Sequence, residues 1–510
     1  MKNKALILLL ALAMMTTPLF TACSDATNNA ESTAPTTSST TASADVSAED
    51  IADEPQDFYT MTGLPRDLNL NGYDIKFDVE EGNNGTLTAR SVWVEEDSGD
   101  IVDAAIFERN MNVMEGLNCN ITLLASDTYG SSSNTKTRLR TQVQAGSDDV
   151  QLAGFYQYYG TVIATENLVY NMANFPYNDF TREYWGVGYM DALSYKGAYF
   201  FATGPMALRY TGGVYVTYVN SNLWNEFYAG TNLYDVVRDG KWTYDYLYDV
   251  TNATYIDANG NGSADANDTY GFILSLQDMV DGMAVGADVK WSERDTEGNV
   301  SIIVNNERSI SFYEKLYKLM YNSTGAHSAT QDDSVTVMKM FNDGYGMATI
   351  NKMFQAEIYL REMEDNYTIL PLPKLDEAQA EYNSAIHDGC TIFAIPITTG
   401  NPDAVSAVLE ALAAESARLV SPAYYDQALK VKYTRDSDSG EMIDLIYSNI
   451  STDFAFMYSN NLTDIAHLFR NNISNKNEAL ASAMAKSEKA WGKMITRFLE
   501  KLDDVIDSQG

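Results

Sequence analysis

Residues 257–268 read DANGNGSADAND, and their oxygen-bearing side chains recur in steps of two. Asp257, Asn259, Asn261 and Ser263 come first, then Asp265 and Asp268, with Gly262 at the sixth place of the run. A hard cation such as calcium takes about six to eight oxygen ligands, and glycine at that place permits the sharp turn around it. The twelfth place carries Asp268, whose reach is shorter than that of the Glu usual there. TYGF follows, which reads as a strand rather than a second helix, and the loop has no second copy. A paired calcium switch that exposes a groove is therefore excluded, and so is a dockerin module, which needs two such loops. The expectation is a structural calcium ion held weakly at Asp257, Asn259, Asn261, Ser263, Asp265 and Asp268. The alternative is an Asn-Gly turn without metal.

Other chemistries leave less trace. GxSxG, HExxH, Walker and GxGxxG patterns are absent, so no motif supports an enzyme. Cys23, Cys119 and Cys390 form no CxxC, and His327, His387 and His467 are far apart in sequence, which argues against a zinc site of neighbouring ligands. Cys119 and Cys390 either pair or sit as two small buried residues. The chain has 70 Asp and Glu against 34 Lys and Arg, a formal charge of −36. Without a basic footprint nucleic acid is excluded as a partner, and the charge suits a surface that resists association, a monomer.

The elements that must carry these residues begin behind an export signal. Lys2 and Lys4 precede an apolar run, Ala5 to Met15, too short to span a bilayer. Leu19-Phe20-Thr21-Ala22 leads into Cys23, and the pattern resembles a bacterial lipoprotein signal over residues 1–22 with Cys23 lipidated. Phe20 stands where Leu is usual. Residues 23–68 then form a Ser/Thr-rich tether, since almost nothing after Cys23 can bury apolar area. Such a coil reaches on the order of 35–40 Å.

The body alternates strands and helices, which points to α/β with parallel pairing. YDIKFDV alternates as a strand, and Val102, Ile106, Val113 and Leu117 fall at helical spacing. A second helix is expected near Lys136 to Ala145, and strands at Val150 to Ala153, Gly212 to Val219 and Cys390 to Pro396. A helix starts near Thr243, and a hairpin turns at Asp295 to Gly298. Asn401 caps a helix with Pro402 in its first turn. Leu480, Met484, Trp491, Ile495, Phe498, Leu502 and Ile506 mark a closing amphipathic helix. At 510 residues, the length alone argues for two domains.

The ordered set of VYVTYVNSNLWNEF, GKWTYDYL, the DxNxNG loop ending TYGF, YTILPLPK and TIFAIPITTGNPDAVSAVLEALA resembles the extracellular solute-binding proteins of ABC importers. The similarity is to the sugar-binding family that includes maltose-binding proteins, and it covers residues 70–510. KYTRDSDSGEMIDLI also resembles lipoprotein members from Firmicutes.

The resemblance implies a two-lobe, class II periplasmic-binding-protein-like α/β fold joined by several crossings. Lobe one would hold 69–214 and 391–440, lobe two 218–388 and 441–510, with crossings near Gly213 to Asn220 and Gly389 to Ile395. The family role is a non-enzymatic receptor, lipid-anchored on the extracytoplasmic face, that hands a carbohydrate, an oligosaccharide, to permease transmembrane subunits. A sugar stacks its C–H face on aromatic rings and bonds its hydroxyls to planar polar groups. The family pattern puts Phe155, Tyr156, Gln157 and Tyr158 at one wall of the cleft and Asn351 and Phe354 at the other. Trp185, Arg209 and Tyr210 precede the first crossing, and Tyr458 beside Ser459–Asp464 lies near a third edge. Relatives often use Trp where Phe or Tyr stands here, so the solute stays open. A secreted glycoside hydrolase or lyase, and a surface lipoprotein that binds polysaccharide without transport, are the alternatives.

Overall fold

The computed structural model describes residues 57–80, 87–94, 99–126, 133–329, 334–430 and 437–510. The signal, Cys23 and the tether up to residue 56 lie outside the described residues. The folded body takes in more of the chain than the sequence implies. Phe58–Thr62 is a helix capped by Asp57, and Phe58 and Leu64 are buried at 3% and 5% exposure, so residues 57–68 belong to the body. Two large apolar side chains gain enough from burial to hold this segment down.

Among the described residues, twelve strands follow in chain order: β1 (Tyr73–Glu80), β2 (Cys119–Ser126), β3 (Leu152–Tyr156), β4 (Tyr215–Asn220), β5 (Tyr255–Ile256), β6 (Thr269–Ser275), β7 (Ser292–Arg294), β8 (Val300–Ile302), β9 (Ala326–Ala329), β10 (Gly346–Lys352), β11 (Tyr367–Leu370) and β12 (Thr391–Ala394). One sheet has the order β12-β3-β1-β2. The other runs β11-β4-β10-β6-β5, with β9 also paired to β6, and β7-β8 is the expected hairpin. Pairing is parallel for β1 with β2 and β3, and for β6 with β9 and β10. It is antiparallel for β12 on β3 and for β4 on β10 and β11. The sheets are thus mixed rather than parallel, because β4 and β12 belong to the segments that carry the chain between them.

The strand period decides the core of the first sheet. Ile75, Phe77 and Val79 on one face of β1 are all fully buried, each gaining about 1.5–3 kcal/mol from burial. Asp100 caps the helix Ile101–Leu117 by accepting from the N–H groups of Val102 (2.8 Å) and Asp103 (3.2 Å), an arrangement that contributes about 1 kcal/mol. Asn401 and Pro402 start the helix Pro402–Glu415 as their types demand.

Two crossings run side by side. Tyr215 N donates to Ala385 O (2.9 Å) and His387 N to Gly213 O (2.9 Å). A third segment joins them where Ser451 N donates to Ser384 O (2.8 Å). The closing helix, Leu480–Gln509, does not stay with the second sheet as the family pattern implies. Gln509 Nε2 donates to Asn167 Oδ1 (2.8 Å) and Val169 O (2.9 Å), and Tyr458 OH donates to Leu193 O (2.7 Å), all in the part of the chain before the first crossing. Trp291 Nε1 meanwhile donates to Ile465 O (3.1 Å) in the part after it. A helix of 30 residues extends about 45 Å, and its buried stripe needs a surface longer than one sheet offers. Val505 completes that stripe, with Ile506 half-buried beside it.

Cys119 and Cys390 are free thiols, both buried, and burial pushes each up to about 12.

Candidate functional site

The C-terminal ends of β3, β6 and β10 meet the crossings in one narrow crevice. In open α/β sheets this is where ligands bind. β3 ends at Tyr156, and strand alternation sends Phe155 into the core, fully buried, while Tyr156 faces the crevice. β6 leads through Leu276 and Gln277 into the helix Asp278–Gly286, whose first turn carries Asp278 and Asp281. Carboxylates there are favoured by the helix dipole. β10 ends at Lys352, opposite Tyr215 at the start of β4.

Asp278 Oδ2 is the centre of the charge network. Lys352 Nζ lies 2.7 Å away, His387 Nε2 3.0 Å and the Tyr215 hydroxyl 2.9 Å. His387 Nδ1 accepts from Gly389 N (2.9 Å), so its proton sits on Nε2, facing the carboxylate. Gly389 is required here, since a Cβ would stand 2.6 Å from both the Tyr156 ring and His387 Nδ1. Asp388 follows in the same crossing. Its Oδ1 accepts from Tyr156 OH (3.3 Å) and its Oδ2 lies 3.7 Å from His467 Nε2. Arg470 Nε is 3.4 Å from Asp281 Oδ2, while Asp281 Oδ1 has no hydrogen-bond partner among the described residues.

The carboxylates are pulled in opposite directions. Burial pushes the Asp278 carboxyl up, but Lys352 and His387 outweigh it and hold it well below the usual range. Asp388 is likewise lowered, burial being outweighed by His387, His467 and Arg470. Asp281 is raised well above the usual range by burial, which Arg470 only partly offsets and which Asp388 and Asp278 reinforce. The side chains keep small exposures, 17% for Asp278, 8% for Lys352 and 16% for Arg470. Asp281 is more shielded still, at 5%.

The residues named from the sequence divide. Tyr156 and Tyr158 reach the crevice. The Tyr158 ring stacks on His467 at 5.1 Å, and its hydroxyl donates to Asp464 Oδ1 (2.6 Å). The Arg209 guanidinium lies 6.0 Å over the Tyr156 ring. Gln157 is a buried strut that donates to Met457 O (3.1 Å) and accepts from Tyr189 OH. Phe155, Trp185 and Tyr458 are core residues, with the Trp185 indole bonded to Glu410 (3.1 Å). Asn351 is fully buried, and its Oδ1 accepts from Lys352 N (2.9 Å). Phe354 packs with Val94, Leu208 and Tyr424. Tyr210 faces a different hollow.

Sequence reasoning missed Asp278, Asp281, Lys352, Asp388 and Arg470, and weighed His387 and His467 only as zinc ligands. The signal was faint: an acidic pair opening a helix just after an apolar strand, and a lysine next to Asn351.

In the loop at 257–268, Asp257 accepts from the N–H groups of Asn261 (3.2 Å) and Gly262 (2.8 Å). Asn259 and Asn261 turn their side chains to Asp265, and Asp268 is buried, accepting from Tyr255 OH (2.9 Å). Among the described residues no group of three or more carboxylate, His or Cys side chains is placed to hold a metal ion. The loop instead mixes carboxylates with amides, and the heads at its third, fifth and ninth places meet, while the Asp257 carboxylate holds the backbone at the fifth and sixth. That donor set fits a hard cation.

No family model matches the chain. No curated protein matches it. Solved structures do match. An ABC substrate-binding protein from Listeria monocytogenes in complex with cycloalternan is 11% identical, over 83% of this chain and 99% of its own, with a TM-score of 0.52. A cyclo/maltodextrin-binding protein complexed with maltotetraose is 13% identical, over 86% and 99%, with a TM-score of 0.53. A sugar transporter from Rhizobium etli in an open conformation is 13% identical, over 83% and 99%, with a TM-score of 0.54. These are binding and transport proteins rather than enzymes. With two mixed sheets, paired crossings and a crevice at the strand ends, the chain has the two-lobe α/β fold of the sugar-binding proteins of ABC importers.

Proposed function

We propose that this chain is the substrate-binding component of an ABC importer and takes a carbohydrate, an oligosaccharide, in the crevice between the two sheets. The observation that carries the reading is the meeting of Tyr156 and Tyr158 with Asp278, Asp281, Asp388, Lys352 and Arg470 at the strand ends. Rings supply flat apolar faces, and charged planar groups supply strong hydrogen bonds to hydroxyls. Residues 69–214 with 391–440 and residues 218–388 act as jaws that bend at the crossings, bridged by the closing helices. Cys23 carries the lipid, the tether holds the body outside the membrane as a monomer, and permease subunits receive the ligand. Among the described residues no helix is long and apolar enough to cross a membrane. The loop at 257–268 holds a calcium ion weakly, as a staple.

Thermal-shift screening of the full chain against mono-, di- and oligosaccharides tests the binding role. A ligand at a hundred times its dissociation constant adds about 2.7 kcal/mol of stability. Small-angle scattering should then show compaction. If no saccharide raises the melting temperature, the carbohydrate reading fails. Metabolic labelling with a fatty acid, compared with Cys23→Ser, tests the anchor.

A second reading rests on the carboxylates that lie together: Asp278 and Asp388 both flank His387 Nε2, at 3.0 and 3.6 Å, and glycoside hydrolases work with paired carboxylates. Release of reducing sugar from a bound oligosaccharide would favour it, and stable binding without release is the expected result.

A further inference from the structure

Successive residues just before the first crossing face two different spaces. Arg209 lies over the Tyr156 ring at the crevice, whereas Tyr210 lines a hollow of about 610 Å³. One wall of that hollow comes from Glu183, Val187, Tyr189 and Tyr210, the other from Tyr425 and Tyr447. A second hollow of about 420 Å³ shares Tyr425, Tyr447 and Ser448 with it and adds Asp444. The two form one extended groove, separate from the residues of the crevice.

Its chemistry is specific. Tyr425 and Tyr447 pack edge to face at 4.8 Å and are only half-buried. Val187, at 42% exposure, is among the few large apolar side chains left in water. Rings and an exposed apolar patch suit the C–H face of a sugar ring. The polar groups on the rim are the Glu183 and Asp444 carboxylates and the Ser448 hydroxyl, with no Lys, Arg or His in either lining among the described residues. Carboxylates accept from sugar hydroxyls but repel uronates. The volume suits more than one sugar unit.

We propose that this groove is a second carbohydrate site, which takes a segment of a neutral oligosaccharide on Tyr425 and Tyr447. It rests on the carbohydrate reading only in the choice of ligand. Its floor adjoins the crossings: Tyr447 OH donates to Thr211 O (2.7 Å), two residues before Gly213, and Ile450 bridges Ser384. An occupant therefore touches the segments that must bend if the jaws move, and its affinity is linked to that of the crevice.

Isothermal titration of the full chain with maltotetraose, cellotetraose and xylotetraose tests the site. The expected result is two binding events per chain for at least one of them. Tyr425→Ala and Ser448→Trp each weaken one event at least tenfold, and Ser448→Trp, at an exposed helix end, leaves the melting temperature of the free protein unchanged. Asp278→Asn removes the other event. A single event abolished by Asp278→Asn and untouched by both groove variants overturns the groove and leaves the crevice standing. Binding lost only in the groove variants retains the groove and overturns the crevice. No binding of any tetrasaccharide overturns both.

Discussion

Lys352 Nζ stands 2.7 Å from Asp278 Oδ2, and this pair ties the last residue of β10 to the first turn of the helix behind β6. Both side chains are largely shielded, at 8% and 17% exposure, so each charge depends on the other. Asp278→Asn keeps the shape and strands the ammonium. Breaking a shielded pair on one side costs about 3 kcal/mol, and urea denaturation should read a loss of that order together with a loss of saccharide binding. Asp278→Asn with Lys352→Met should cost clearly less than the two single changes added, since no charge is then left unpaired. Additive losses would mean that the two groups do not depend on each other.

The opposed carboxylates predict a two-sided pH profile. Asp278 and Asp388 lie below the ordinary carboxylate value of about 3.9 in the folded protein. Their contribution is complete above about pH 4 and disappears as pH falls toward the folded-state values. Asp281 is raised, so the folded state holds its proton more tightly than the unfolded chain does. Its ionisation removes stability as pH climbs from about 4 through its raised value. Asp281→Asn should therefore raise the melting temperature at pH 7 and flatten that limb while the acid limb persists. It should also weaken saccharide binding, because Asp281 Oδ1 is the acceptor left open. A variant curve parallel to wild type from pH 3 to 8 would remove Asp281 from this account.

Much of the fold was legible because local rules and tertiary packing agree. Ile75, Phe77 and Val79 alternate and are all core, and Asp100 and Asn401 cap the helices they precede. The site was legible only where a strand exits into it, at Tyr156 and Tyr158. β10 is buried on both faces, so no alternation marked Lys352 as the residue that reaches the crevice rather than Asn351. His387 and His467 are distant in sequence and meet Asp388 only because a crossing and a C-terminal helix arrive at the same strand ends. The carboxylates that matter were hidden among 70 acidic residues. Trp185 and Tyr458 invited a binding role by type, yet Glu410 and Leu193 hold their polar atoms in the core.

Tyr158 offers the cleanest test of stacking. Its ring lies on His467 at an interplanar angle of 25°, with Tyr159 edge-on at 4.9 Å, and it is half-buried. Tyr158→Ala should weaken saccharide binding by about 1 kcal/mol, roughly fivefold in dissociation constant, with little change in melting temperature. Tyr158→Phe keeps the platform and loses only the bond to Asp464, so its effect should be smaller. Equal losses in both variants would assign the contribution to the hydroxyl instead of the ring.

The loop at 257–268 separates a metal staple from a self-sufficient turn. Asp265 is held to about 2 by hydrogen bonds from the Asn267 backbone and from the Asn261 and Asn259 side chains. The amide oxygens of Asn259 and Asn261 accept from Asn261 N (3.0 Å) and Ser263 N (2.7 Å). A cation held here would draw on these oxygens together with the Asp257 and Asp265 carboxylates. Millimolar calcium should then raise the melting temperature by about 2 °C, with EDTA reversing it. Asp265→Ala should abolish the response, because the converging amides lose the group they share with the ion. A loop that is complete without metal predicts the opposite pattern: no response to calcium or EDTA, and a lower melting temperature in Asp265→Ala whichever is present.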